Sequence, residues 1–208
     1  MASVYDKYYY ERYALLAVCH LLNLDLKDFV HADRPDIQSK KHGIGIEVVR
    51  AISEDDAIDE SYKNKLFGRG LPGEEIVAAI NREDKRGNFK GRVHSFDGVA
   101  SISSKLYDFD EHRQLIDREI QKKTQKLPDY TQYDVKGLYC FANTSLFKEG
   151  DYPGLLEACR KGAFDVVFID CIDKILLWRM VSPDIFSETN ISEELLSEWK
   201  LAVRSGNL

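Results

Sequence analysis

The sequence predicts an α/β protein in which a mixed central β-sheet is flanked by helices. Apolar residues near the N-terminus recur at helical spacing. Two β-like apolar runs occupy residues 135–141 and 164–172, and a helical stretch over 152–162 separates them. Strands that alternate with helices are typical of a sheet covered by helices. At 208 residues the chain is long enough for one domain with a substantial core.

The first elements are a helix and a β-hairpin. Residues 6–22 carry an apolar stripe of helical spacing and are predicted to form the first helix. A strand through 36–38, a turn at 40–43 and a strand through 44–52 then predict a hairpin. The later predicted helices are a surface helix at 54–66, a short one at 74–81, one at 110–127 and a C-terminal one from about Ser192.

Residues 67–104 are predicted to be an inserted, irregular segment of a single domain that comprises residues 1–208. Three glycines and Pro72 interrupt the helical pattern at its start. The stretch from Arg82 to Gly98 is polar and contains further glycines. Long irregular segments of this kind are often functional.

Composition favours a cytoplasmic protein. No apolar run approaches the roughly 18 residues that span a bilayer, and residues 1–6 do not have the character of a signal peptide. The four cysteines are widely spaced, which favours free thiols over disulfides or zinc. A net charge of −6 argues against bulk attraction to nucleic acid, although the basic runs 82–92 and 122–126 leave a local nucleic-acid surface open.

Asp36 and Glu47 are the first candidate site residues. Symmetric pairing about the 40–43 turn places Asp36 opposite Glu47, whose near neighbours are all apolar or glycine. A carboxylate in such surroundings requires a positive or hydrogen-bonding partner. Two carboxylates on adjacent strands suit Mg²⁺ or Mn²⁺. The alternative is an aspartate in a turn, and a glutamate that lies at a sheet edge or pairs with an arginine, without a metal.

Lys123 is the third candidate. It follows Ile116 and Ile120 at helical spacing, on the apolar face of the predicted helix 110–127, whereas Lys122 and Lys126 are predicted to point away from that face. A lysine on this face needs a carboxylate or phosphate partner, unless its stem reaches solvent.

Four further acids, Glu11 and three late aspartates, lie in or beside apolar segments. Glu11 lies on the apolar stripe of the first helix, where a helix-dipole role is the alternative to a functional one. Asp165, Asp170 and Asp173 lie in or beside the late apolar strand. Acids at strand ends are more often solvated or paired, so these three are predicted to be structural. The tyrosines near the N-terminus are predicted to pack the first helix onto the sheet.

Together these elements resemble the PD-(D/E)xK nuclease superfamily, the fold of many restriction endonucleases. The resemblance covers the helix with Glu11, then Pro35-Asp36, then Glu47-Val48-Val49, and extends loosely to residues 110–142. It implies a restriction-endonuclease-like core with Asp36 and Glu47 as ligands of Mg²⁺ or Mn²⁺. Some members carry the motif lysine on a neighbouring helix, which implies Lys123 here and Glu11 as an accessory acid.

The departure from the family pattern is Val49, which stands where the motif has its lysine. Two functions therefore remain open. One is a metal-dependent nuclease that hydrolyses phosphodiester bonds of DNA or RNA. The other is a catalytically inactive module of the same fold that binds protein or nucleic acid. The sequence also leaves a homo-oligomer open.

Overall fold

A computed structural model describes residues 7–84 and 87–205 of the chain. These residues divide into two units: the described residues up to 51 together with those from 109 onward form one, and the described residues between 52 and 108 form the other. The helices and strands in chain order are α1 (Lys7–Leu22), β1 (Val30–His31), β2 (Ile37–Ser39), β3 (Ile44–Arg50), α2 (Glu54–Leu66), α3 (Gly73–Glu83), β4 (Arg92–Phe96), β5 (Val99–Ser103), α4 (Phe109–Thr124), β6 (Val135–Phe141), α5 (Tyr152–Arg160), β7 (Val166–Asp170), β8 (Lys174–Arg179), β9 (Ile185–Asn190) and α6 (Glu193–Ser205).

The first unit is built on a seven-stranded sheet with the order β1-β2-β3-β6-β7-β8-β9. The central strands β3, β6 and β7 are parallel, whereas the outer pairs are antiparallel. This mixed sheet confirms the predicted α/β class. Parallel neighbouring strands must be joined by a long connection, which usually contains a helix. The segments between β3 and β6 and between β6 and β7 each contain at least one helix.

Side chains of β3 alternate between the two faces of this sheet. Ile44 and Ile46 pack in the apolar cluster that contains residues of α1. Val49 packs in the other cluster, with Ile116 and Ile120 of α4. Because alternate residues share a face, Glu47 belongs to the face covered by α4. The sheet therefore separates the two apolar clusters and directs Glu47 into the second.

The second unit is more regular than the sequence predicts. It contains α2, α3 and the antiparallel hairpin β4–β5, with Tyr62, Ile76, Ile80 and Ile102 in its own buried cluster. The hairpin turns at Asp97-Gly98, which have φ values of 51° and 76°. An Asp-Gly pair is favoured in such two-residue turns. The unit therefore differs from the predicted irregular segment 67–104 in both extent and regularity.

Other boundaries differ for local reasons. Helix α4 ends at Thr124 rather than at the predicted Leu127, which begins a short 3-10 helix before Tyr130. Strand β9 was not predicted, because most of its residues are exposed and it carries no alternating apolar pattern. The predicted helical stripe of residues 6–22 is observed from Lys7, and Asp6 lies outside the described residues.

Candidate active site

The hairpin β2–β3 brings the two carboxylates together. Ile37 pairs with Ile46, so one further step of the antiparallel register places Asp36 across from Glu47. The side chain of Asp36 is held in position because its Oδ2 accepts a hydrogen bond of 2.9 Å from the backbone N–H of Val48. Pro35 packs directly on Gly45, where an added Cβ would lie 2.7 Å from the proline Cγ.

Lys123 reaches Glu47 from α4. Its Nζ donates a hydrogen bond to Glu47 Oε1, and the two groups form an ion pair. The Lys123 side chain is 18% exposed and that of Glu47 is 6% exposed. Ile120 and Ile116, one and two turns earlier, are completely buried. The apolar stripe of α4 thus carries the lysine onto the sheet, where the glutamate meets it.

These three residues share a polar cleft of about 330 Å³. Its mouth carries both signs of charge, with the cations Arg34 and Lys126 and the anions Asp33 and Asp129. The full lining comprises Asp33, Arg34, Asp36, Glu47, Val48, Lys123, Lys126, Asp129 and Tyr130. A cleft of this size and polarity suits a charged ligand together with water.

The pKa of Glu47 is shifted by burial and by several neighbouring groups of the cleft. Burial raises its pKa, and the negative charge of Asp36 raises it further, whereas the hydrogen bond and charge of Lys123 oppose both effects. The hydroxyl of Tyr130 also lies beside it, and burial together with the Glu47 charge raises the pKa of that phenol. Glu47 Oε2 is buried and has no hydrogen-bond partner among residues 7–84 and 87–205. The site therefore holds one carboxylate oxygen that a further positive group would satisfy.

A divalent cation fits this donor set in part. No group of three or more His, Cys, Asp or Glu side chains suited to a metal occurs in the described part of the chain. Asp36 and Glu47 together offer two carboxylates, with Glu47 Oε2 still without a partner. Mg²⁺ is commonly held by one or two carboxylates, with water or phosphate oxygens completing the shell. The residues present fit an ion such as Mg²⁺ that keeps water or phosphate ligands. They do not fit a structural metal site in which protein side chains supply every ligand.

Glu11 is placed differently from the other three candidates. It is 3% exposed and lies on α1, and α1 packs against the sheet face that carries Ile46 rather than Glu47. Glu11 is not among the described residues that line the cleft. An accessory role for Glu11 stays a prediction.

Lys126, Tyr130 and Arg34 are among the cleft residues that sequence reasoning missed. Lys126 was predicted to point away from the apolar face, but α4 ends at Thr124, so the helical spacing no longer applies there. Tyr130 enters the cleft after the 3-10 helix, and Arg34 enters with a left-handed backbone at φ 57°. Irregular backbone of this kind has no periodic signal. The Arg34-Pro35-Asp36 neighbourhood was the only available pointer to Arg34.

Comparisons with known proteins do not assign the chain to a family. No protein-family model, curated protein or solved structure matches it. In the part of the chain that the structure describes, no helix has the length and apolar character needed to cross a membrane.

If a divalent cation binds at Glu47, the raised pKa of this carboxyl predicts that the affinity depends on pH. A bound proton competes with a cation for this carboxylate, so affinity increases as pH rises through the pKa of the folded state. The Mn²⁺-induced increase in melting temperature is expected to be larger at about pH 7.5 than at about pH 5. Thermal unfolding with and without Mn²⁺ measures this difference. An equal increase at both pH values would contradict the placement of the ion at Glu47.

Proposed function

We propose that this protein is a metal-dependent nuclease that hydrolyses phosphodiester bonds of DNA or RNA. The observation that carries the proposal is the Lys123–Glu47 contact beside Asp36 in one polar cleft. An acid pair with an adjacent lysine is the residue set that the PD-(D/E)xK resemblance implies. The lysine comes from α4 rather than from position 49.

The order of the elements also supports the proposal. The chain passes from α1 through β2 and β3, and then from α4 to β6, which lies parallel to β3. In the family that the sequence resembles, the strands that carry the acids are likewise followed by a helix and a further strand. The unit 52–108 enters between β3 and α4, where a loop insertion leaves that order intact.

The proposal assigns roles to six residues of the cleft. Asp36 and Glu47 would hold Mg²⁺ or Mn²⁺, and Val48 N–H keeps the Asp36 carboxylate in position. When bound, the ion supplies positive charge against a reacting phosphodiester. Lys123 orients the attacking water or stabilises negative charge in the transition state. Arg34 and Lys126, which are exposed and line the cleft, would contact the phosphate backbone of a bound nucleic acid.

A second function is favoured by Val49. This side chain is 5% exposed and packs in the apolar cluster with Ile116 and Ile120, so the position is built for packing and not for catalysis. The alternative is therefore a catalytically inactive module that binds protein or nucleic acid through the same cleft. In that case the Lys123–Glu47 pair is structural.

The compartment proposed for either function is the cytoplasm. All four cysteines are buried free thiols, as expected in a reducing environment. We also propose a homo-oligomer or a protein partner, the latter for the inactive module.

A cleavage assay separates the two functions. Wild-type protein is incubated with generic single- and double-stranded DNA and RNA in Mg²⁺ or Mn²⁺, and in EDTA. Cleavage that requires the cation and disappears in EDTA supports the nuclease. No cleavage, together with no Mn²⁺-induced change in melting temperature, would contradict the nuclease and leave the binding module.

A further inference from the structure

A second pocket lies at the carboxyl ends of the three parallel strands. The sheet register aligns Arg50 of β3, Phe141 of β6 and Asp170 of β7 in one row. Each of these residues is the last of its strand. Open α/β sheets commonly bind ligands in the crevice outside the carboxyl ends of such strands. The row therefore marks a favourable location for a ligand.

The walls of this pocket are aromatic. It encloses about 170 Å³ and is lined by Tyr9, Tyr10 and Tyr13 of α1 together with Phe141, with Asp170 and Lys200 as its charged residues. The rings of Tyr10 and Phe141 meet edge to face at 5.1 Å. Ligand pockets for drug-sized molecules measure roughly 300–1,000 Å³, so this pocket suits a smaller molecule. The predicted role of the tyrosines, packing α1 onto the sheet, accounts for the burial of Tyr9 and Tyr13 but not for the pocket.

Asp170 lies buried in this pocket, where each of its carboxylate oxygens accepts one hydrogen bond. Its Oδ2 accepts a hydrogen bond of 2.7 Å from the Tyr139 hydroxyl, and its Oδ1 accepts one of 3.1 Å from the N–H of Ile172. Burial raises the pKa of Asp170 to about 6, so the group is mostly ionised at neutral pH. Across the described residues Asp170 has no ion pair, and Lys200 acts on it only through its more distant charge. A buried carboxylate of this kind is stabilised by a cation.

We propose that this pocket binds a small organic ammonium cation. The carboxylate of Asp170 and the faces of the surrounding rings both attract positive charge, and ammonium groups are recognised in this way by aromatic pockets. The same ring cluster already holds a cation, since the Arg50 guanidinium lies 4.1 Å from the centroid of Tyr10. Asp170 would repel an anion, whereas an ammonium group would give this carboxylate the direct ion pair that Lys200, which also lines the pocket, does not form with it. The proposal is independent of the nuclease function, because the Glu47 cleft shares none of these residues.

Calorimetric titration with choline tests the proposal. The matched neutral ligand is 3,3-dimethylbutan-1-ol, which has the shape of choline without its charge. Choline is expected to bind and the alcohol to bind at least roughly tenfold more weakly. Asp170→Asn is expected to weaken choline binding on the order of 30-fold, whereas Asp173→Asn removes the same charge outside the pocket and is expected to leave affinity within about twofold.

A second variant, Phe141→Leu, tests the proposal independently in case Asp170→Asn does not fold. Phe141→Leu keeps an apolar wall but removes one ring, and is expected to weaken choline roughly fivefold with little effect on the alcohol. No choline binding to the wild type, or equal binding of choline and the alcohol, would overturn the proposal. Unchanged choline affinity in folded Asp170→Asn would overturn it equally.

Discussion

Lys123→Met is expected to destabilise the folded protein by about 3 kcal/mol at neutral pH. The methionine keeps the apolar stem but leaves Glu47 buried without its cation. The pKa of Glu47, already raised by burial and by Asp36, then rises further above its value in the unfolded chain. An acid whose pKa is raised on folding loses stability as pH increases through that pKa, so the deficit is expected to shrink at acid pH. Urea unfolding over a pH series measures it.

The neighbouring lysine supplies the control for this stability effect. Lys122 pairs with Glu119 at 3.3 Å, with its side chain 56% exposed, and Lys122→Met is expected to change stability by under about 0.5 kcal/mol. The double variant Glu47→Gln with Lys123→Met is expected to recover most of the lost stability, because the unpaired charge is absent. A Lys123→Met protein as stable as wild type at neutral pH would show that the pair contributes nothing.

Glu47→Gln and Asp36→Asn are each expected to reduce metal-dependent cleavage by roughly 10³-fold. Both changes keep the size of the side chain, and the asparagine oxygen can still accept the Val48 N–H bond. What they remove is the negative charge that would hold the ion. Initial rates of cleavage of a labelled oligonucleotide in saturating Mg²⁺ measure the loss.

A third acid in the same cleft provides the matched comparison. Asp129 lines the cleft but is exposed, and Asp129→Asn is expected to retain activity within roughly tenfold. An equal loss of activity in all three variants would mean that cleavage depends on the overall negative charge of the cleft and not on a metal site at Asp36 and Glu47. If none lost activity, the activity would arise elsewhere.

The parts of the site that could be predicted from sequence are those that follow a period. The 3.6-residue spacing of Ile116, Ile120 and Lys123 predicted a lysine on a buried helix face, and the two-residue period of a hairpin predicted Asp36 opposite Glu47. Both patterns are local, so the chain's own geometry determines them. The partner that meets Lys123 lies 76 residues away, and only the resemblance suggested it in advance.

The parts that could not be predicted depend on irregular backbone or on distant packing. Tyr130 and Arg34 reach the cleft from segments without helix or strand periodicity. Asp170 was predicted to be structural, and it accepts hydrogen bonds from Tyr139 and Ile172. The pocket beside it forms where the α1 tyrosines meet the ends of β6 and β7, which no local pattern predicts. The hairpin of residues 92–103 was missed although Asp97-Gly98 is a strong local turn signal. In that case the signal was present, but the polar sequence around it obscured the strands.

The central claim is that Asp36 and Glu47 bind a divalent cation beside Lys123. Crystals soaked in Mn²⁺ and measured for anomalous scattering test it most directly. The expected result is a single strong peak at about 2.0–2.3 Å from oxygens of both carboxylates, including Glu47 Oε2. A cleft without a peak at saturating Mn²⁺, with the Lys123–Glu47 pair intact, would contradict the claim.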